Sequence, residues 1–387
     1  MDFGLTIDQE ALVDTARRFA QSELPALVAE VEVSAQPVSE AWRRRFGEMG
    51  FLGINTGVEH GGLGLPLLDA LLVMEEFAKV SVGVAFPVFE CCAGPVRIVE
   101  RFGNEELRNR ILPKVVSGET MIAISMSEPD AGTALTDLRT QARFEGDRIV
   151  LDGTKRWCSG SGHSEAYLVF CRFYGVPGAK GIGAVLVERD TPGLTFGPQE
   201  RLMGFRGVPS ADMFLDSVSV PRANLIVGAG GFASLMGVFN IERLGNSTMA
   251  LGVAQGALDQ AVAYVQERVQ FGKPLIDFQA VQLRLAEMEM KVQAARLLIH
   301  RAAALADETG LPPMRETSVA KCFVNEITRE VTGAAMQLLG GYGYAAQYGM
   351  ERRFRDSWGW GIAGGAIDIQ KINIAGELVG RRFNQRG

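Results

Sequence analysis

The chain has 387 residues, 47% of them hydrophobic and 22% charged, with a formal net charge of -6 at pH 7. That length exceeds one ordinary core and fits two or three packed domains of a soluble globular protein. The negative balance leaves no basic stripe to release counterions from phosphates, which excludes a nucleic-acid tracker. No apolar run reads as long enough to span a bilayer, and Met1-Asp2-Phe3 opens no basic-then-apolar leader, so a cytoplasmic enzyme is expected. The cysteines, Cys91, Cys92, Cys158, Cys171 and Cys322, form no CxxC pair, and their odd number suits reduced thiols. His60, His163 and His300 lack the spacing of a metal site, so no metal is expected.

Thr6-Ile-Asp-Gln9 is a capping box, and Leu12, Val13, Ala16, Phe19 and Ala20 follow at helical spacing. Amphipathic helices continue around Leu67 to Val80 and from Asn104 to a stop at Pro113. The cluster His60-Gly61-Gly62-Leu63-Gly64 follows no clear strand and carries no Lys-Ser/Thr, so it reads as a turn rather than a phosphate loop. Near Met121 the period shortens to strand-like runs: Met121 to Met126, Arg148 to Leu151, Tyr167 to Phe173, Ile182 to Val187 and Met213 to Val220. Asp152-Gly153 gives a hairpin signal between two of them. After Pro221 long helices return, broken at Pro312-Pro313. The expected fold class is α+β: a helical domain over 1–119, a β domain over 120–225 and a helical domain over 226–387. The missing strand-helix alternation argues against a Rossmann sheet.

The longest periodic stretch, Phe239 to Gly272, predicts one helix with Glu242-Arg243 at its start and Arg268 at its end. At 1.5 Å per residue these ends lie about 39 Å apart, so they serve different sites.

Six stretches then carry a resemblance: Ser127-Glu-Pro-Asp-Ala-Gly-Thr133, Gly153-Thr-Lys-Arg-Trp-Cys-Ser159, Glu242-Arg243, Arg268 with Phe271-Gly-Lys-Pro274 and Gln279, Ala320-Lys321, and Gln337-Leu-Leu-Gly-Gly-Tyr-Gly-Tyr344. Together they resemble the flavin-dependent acyl-CoA dehydrogenase family, from Asp2 to about Gly380. The resemblance implies a three-domain fold, helical, β-barrel-like, then a four-helix bundle. It implies FAD as cofactor, an acyl-CoA substrate, an electron-transfer flavoprotein as acceptor, and a homo-oligomer, usually a tetramer. Met126, Ser127, Thr133, Trp157 and Ser159 match flavin-lining positions, with Trp157 walling one side. Arg268, Phe271, Gln279, Gln337 and Gly341 match positions reaching the FAD of a neighbouring subunit. Arg206 and Gly207 resemble the stretch beside the CoA pantetheine, and Arg243 a substrate contact. Phe86 falls where a related sulfinopropionyl-CoA desulfinase grips its sulfinate with arginine. The acyl pocket is expected from residues near Val82 to Glu90, Glu242 to Leu244 and Tyr344 to Tyr348, with Glu90 itself read as an exposed helix carboxylate in preference to a second acidic group in that pocket.

The base is where the sequence departs. The C-terminal loop glutamate of many members is replaced by Gly364, which takes no proton. In the isovaleryl-type and long-chain-type branches the residue before the helix arginine serves instead, here Glu242. The plainer reading is a helix-start carboxylate paired with Arg243. A desolvated carboxylate beside the flavin suits α-proton removal and supports the base role. Alternatives are base-independent cleavage, flavin oxygenation, or a non-catalytic paralogue that binds FAD or acyl-CoA.

Overall fold

A computed structural model describes residues 4–383. Seven helices come first: α1 Ile7–Ser22, α2 Leu24–Ser34, α3 Glu40–Glu48, α4 Leu67–Val80, α5 Val82–Cys92, α6 Val96–Phe102 and α7 Glu105–Val116. The Thr6 hydroxyl accepts from the Gln9 N–H at 3.2 Å, and the Gln9 amide oxygen accepts from the Thr6 N–H at 3.1 Å. This closes the predicted box and turns Val13, Ala16, Phe19 and Ala20 inward. Phe19, Phe46, Phe51 and Phe77 then pack together, Phe51 and Phe77 edge-on with centroids 5.1 Å apart and Phe19 stacked on Phe77. The helix begun at Asn104 does not stop at Pro113 but runs three residues past it. Proline ends a helix through its clash with the turn before it, and a final turn absorbs that strain.

The expectation that no apolar run matches a bilayer is corrected. Val82 to Phe102 is apolar and long enough, yet the 18-residue window that makes it so is wholly buried in the protein. It is also broken between α5 and α6 at Ala93-Gly94-Pro95. This stretch is the centre of the first helical layer.

The β domain holds β1 Ile122–Ser125, β2 Gln141–Glu145, β3 Arg148–Ser159, β4 Ala166–Phe173, β5 Ile182–Glu188, β6 Leu194–Phe196, β7 Ser210–Pro221 and β8 Leu225–Val227. They form one sheet in the order β6-β7-β3-β2-β4-β5-β8, with β1 parallel to β4. Its inner side chains, among them Tyr167, Val169, Met213 and Leu215, make a second core separate from that of the helices. Asp152-Gly153 is not a hairpin turn. It lies within β3 at a register shift against β7, while the β2–β3 turn is made at Gly146 with φ +61°. The chain also adds β8 after Pro221, where helices alone were expected.

A 36-residue helix, α8 Phe232–Glu267, follows. It starts seven residues before the predicted Phe239 and ends just short of Arg268. The hairpin β9 Val269–Gln270 and β10 Lys273–Pro274 leads to α9 Gln279–Ala304, then α10 Met314–Leu339, α11 Gly341–Tyr344, α12 Met350–Asp356 and α13 Ile367–Val379. Helices α8, α9, α10 and α13 form the bundle, with α10 against all three others. Almost every residue of α8 from Val238 to Ala254 is buried, because α4 and α5 cover the face the bundle leaves. Glycines permit that contact: a Cβ on Gly245 would lie 2.4 Å from the Ala93 Cβ, and one on Gly252 2.5 Å from the Ala78 Cβ.

Candidate active site

Two constellations form along α8, one in its first third, so that Glu242 is not the helix-start carboxylate of the plainer reading, and one past its far end. The first gathers at Glu242. Its side chain is buried, and one carboxylate oxygen has no hydrogen-bond partner among the described residues. Burial raises the carboxyl to about 8, against the pull of Lys321 and Arg243. Arg243 donates to the Asn240 side-chain oxygen at 2.7 Å and stacks on Phe239, leaving its Nε unpaired. Burial lowers its guanidinium to about 10, so it remains a cation at neutral pH.

Above them sits the loop Gly361 to Ala366. Gly364 is in the left-handed region at φ +67°, and its carbonyl neighbour Ala363 accepts from Lys321 and from Asn246. A Cβ on Gly365 would come 3.9 Å from the Arg243 Nε. The predicted companions Arg243 and Gly364 are thus brought to Glu242.

Below them lies α5. Phe86, 8% exposed, stacks on Phe89 at 5.8 Å, and Phe89 packs on Trp360 at 4.9 Å, forming an aromatic floor. Glu90 corrects the reading of an exposed carboxylate: it is 3% exposed, with one unpartnered oxygen. Burial pushes its carboxyl well up, and the Glu242 charge pushes it further. Helix α5 also packs on β1, which ties the β domain to this site. Periodicity gives no depth for Glu90, because all of α5 is buried.

At the β domain's edge, Met126 and Ser127 follow β1, half-buried, and Ser159 ends β3, also half-buried. A bulge between Lys155 and Cys158 places Trp157 at φ +62° and turns its ring outward, 54% exposed. The Arg156 guanidinium lies 4.3 Å from that ring. Thr133 is exposed on the loop between. Lys155 and Glu128, missed as a pair in the sequence, brace this edge from inside: Lys155 is fully buried, 2.9 Å from Glu128, and also donates to the Met126 carbonyl. Arg206 is exposed beside Glu32 at 3.6 Å, and Gly207 is buried at φ +87°.

The second constellation lies past the far end of α8. Arg268, Gly341, Tyr264, Tyr342 and Tyr348 line an open cavity of about 480 Å³. Gln279 and Gln337 are exposed at adjoining helix ends, and Phe271 is 95% exposed at φ +52°. Tyr344, expected at the acyl pocket, stands at this end and is 82% exposed. Helix α10 separates it from Lys321 by about 27 Å, at 1.5 Å per residue.

Family profiles match throughout: "Acyl-CoA dehydrogenase, N-terminal domain" over residues 6–119, "middle domain" over 123–218 and "C-terminal domain" over 229–379. The fold and the two sites define a flavoprotein oxidoreductase architecture. The chain belongs to the acyl-CoA dehydrogenase family. It is 34% identical to a 3-sulfinopropanoyl-CoA desulfinase of Cupriavidus necator, covering 99% of this chain and 98% of that one. The butyryl-CoA dehydrogenase structure of Megasphaera elsdenii superposes with a TM-score of 0.93 at 32% identity, over 98% of this chain and 100% of that one. A chain solved in work on the electron transferring flavoprotein of Acidaminococcus fermentans gives 0.94 at 34% identity, over 98% and 100%.

Members of the family bind FAD, and the residues here fit it. A large aromatic ring turned to solvent by a backbone bulge suits a planar ligand, and the arginine-lined cavity of about 480 Å³ suits a phosphate-bearing one.

Proposed function

We propose that the protein dehydrogenates an acyl-CoA thioester to the 2,3-enoyl-CoA, with Glu242 taking the α-proton. The observation that carries this reading is the Glu242 carboxylate itself, buried and with an oxygen left unpartnered under a loop that has lost its own acid. FAD, when bound, supplies the hydride acceptor. Met126, Ser127, Thr133, Trp157 and Ser159 would hold its ring system. Arg268, Phe271, Gln279, Gln337 and Gly341 would reach its adenine and pyrophosphate end from a neighbouring subunit.

The physical steps belong to the chain. Desolvation gives Glu242 the basicity that a weakly acidic α-proton demands, and ionised Glu242 accepts it. Phe86 and Phe89 exclude water from the acyl tail, while Arg206, Gly207 and Arg243 would meet the thioester and its carrier.

A homotetramer is part of the reading. The Arg268 end is too far from Glu242 to serve it within one chain. Helix α9 also turns Leu283, Met290 and Leu297 outward at seven-residue steps, an apolar stripe suited to a partner helix. An electron-transfer flavoprotein as acceptor agrees with the Acidaminococcus match.

The likeness to a desulfinase favours sulfinate cleavage as a second reading, but α5 from Val82 to Phe89 presents no cation to an anionic tail.

Anaerobic titration of the purified protein with straight, branched, aromatic and dicarboxylic acyl-CoAs tests the proposal. Flavin bleaching with enoyl-CoA formed is expected for one class. Flavin that stays oxidised with every thioester overturns the reading.

A further inference from the structure

Arg156 and Trp157 are neighbours on β3, and their side chains lie one against the other. Successive residues of a regular strand point to opposite faces of the sheet, so adjacent side chains do not meet. Here the register against β7 passes from Lys155 opposite Met213 to Cys158 opposite Ala211, leaving two residues of β3 across from the single Asp212. That is a bulge, and a bulge re-aims the side chains it contains. Trp157 takes φ +62°, a conformation that a bulky side chain holds only where its surroundings fix it. Its ring then lies 4.3 Å from the Arg156 guanidinium.

The guanidinium is itself tied down. Its Nη1 donates to both carboxylate oxygens of Asp212, at 2.8 and 2.7 Å, and its Nη2 to Glu200 at 2.8 Å. Asp212 is the residue that faces the bulge, and Glu200 is fastened to β7 by its N–H, which donates to the Ser210 carbonyl at 2.8 Å. The Arg156 main chain takes part as well, its N–H donating to the Ser127 carbonyl at 2.9 Å. One residue therefore joins the indole, β7 and the segment that follows β1.

All three charged side chains are partly exposed. Ion pairs in contact with water contribute little stability, whereas a planar guanidinium gripped by two carboxylates is fixed in orientation. That orientation passes to the ring it touches. A cation over one face of an indole attracts it, and the exposure of Trp157 leaves the rest of the ring open to a planar ligand.

We propose that Arg156 is a positioning residue that acts through Trp157: clamped by Asp212 and Glu200, it backs one face of the indole and holds the ring ready for a planar cofactor. The contact belongs to the protein as it stands, and its consequence rests on the reading of Trp157 as a wall of the flavin.

Fluorine NMR of holoprotein carrying 5-fluorotryptophan reads the contact. The chain has four tryptophans, and the Trp157 resonance is the one lost in Trp157→Leu. Arg156→Met should move that resonance. Asp212→Asn loosens the clamp but keeps the arginine, and should move it the same way even if Arg156→Met fails to fold. The consequence is read from the rate at which diluted holoprotein releases FAD, followed by the fluorescence of the freed flavin. Arg156→Met should speed release by about 2- to 30-fold, the range of one cation–π contact, and should add nothing in a Trp157→Leu background. An arginine that merely stabilises the sheet would act equally in both backgrounds. A resonance that stays in place, or release that Arg156→Met speeds equally with and without Trp157, overturns the proposal. So does unchanged release in Arg156→Met where Trp157→Leu alone speeds it. If Trp157→Leu leaves release unchanged too, the reading of Trp157 as a flavin wall falls, and the positioning role falls with it.

Discussion

Glu242 owes its reactivity to the same desolvation that makes it a burden on the fold. An unfolded chain ionises it in the ordinary carboxylate range, whereas the folded chain keeps its proton up to about 8. Across that window the folded state binds the extra proton, so stability falls as pH rises, and the loss is complete above 8. Glu242→Gln removes the burden. Its melting temperature should exceed the parent's by several degrees at pH 8, and the gap should close near pH 4.5, as thermal unfolding at the two pH values would show. Catalysis has the opposite demand, since only ionised Glu242 accepts a proton. The rate of flavin reduction should climb as pH rises toward and through about 8, read by stopped-flow across a pH series. At this scale the sequence is informative about Glu242, because the adjacent arginine and the acid-free loop both mark it. Glu90 was not legible: one residue in a helix buried on all sides shows no periodic sign of which carboxylate is inside.

Elements were legible where one face is wet. Helix α1 begins at its capping box and buries the face its period predicts. Helix α8 was legible as a helix but not in extent, because a helix buried all round lacks the amphipathic signal that marks a start. Asp152-Gly153 misled for another reason: Gly153 sits where the Thr140 side chain approaches, and a Cβ there would lie 2.5 Å from the Thr140 Oγ1. That glycine serves close packing at a bulge, not a turn. The same logic governs α8 against α4. Gly252→Val would drive its side chain into Ala78 and should destabilise by about 1–3 kcal/mol, the usual cost of overpacking. Chemical denaturation would detect it, and an unchanged midpoint would show that α4 yields freely.

The whole molecule follows from an order the sequence displays, helices, strands, then helices, and from one long rod that holds two sites apart. What the pattern does not display is the contact between domains, since α5, which carries Glu90, meets both α8 and β1 only after folding. Nor does it display the outer face of α9, where the apolar Leu283, Met290 and Leu297 stand exposed. If that stripe joins subunits, Met290→Asp should shift the protein to a smaller species in sedimentation and loosen its FAD. Unchanged mass would place the interface elsewhere.

The central claim is that Glu242, rather than the C-terminal loop, removes the substrate proton. Stopped-flow flavin reduction in parent and Glu242→Gln, with the best acyl-CoA and both proteins fully loaded with FAD, tests it most directly. The expected result is a fall of about 10²- to 10⁴-fold, the range for a positioned base, with FAD still bound. Reduction of the variant at the parent rate would contradict the account and return Glu242 to a buried structural acid.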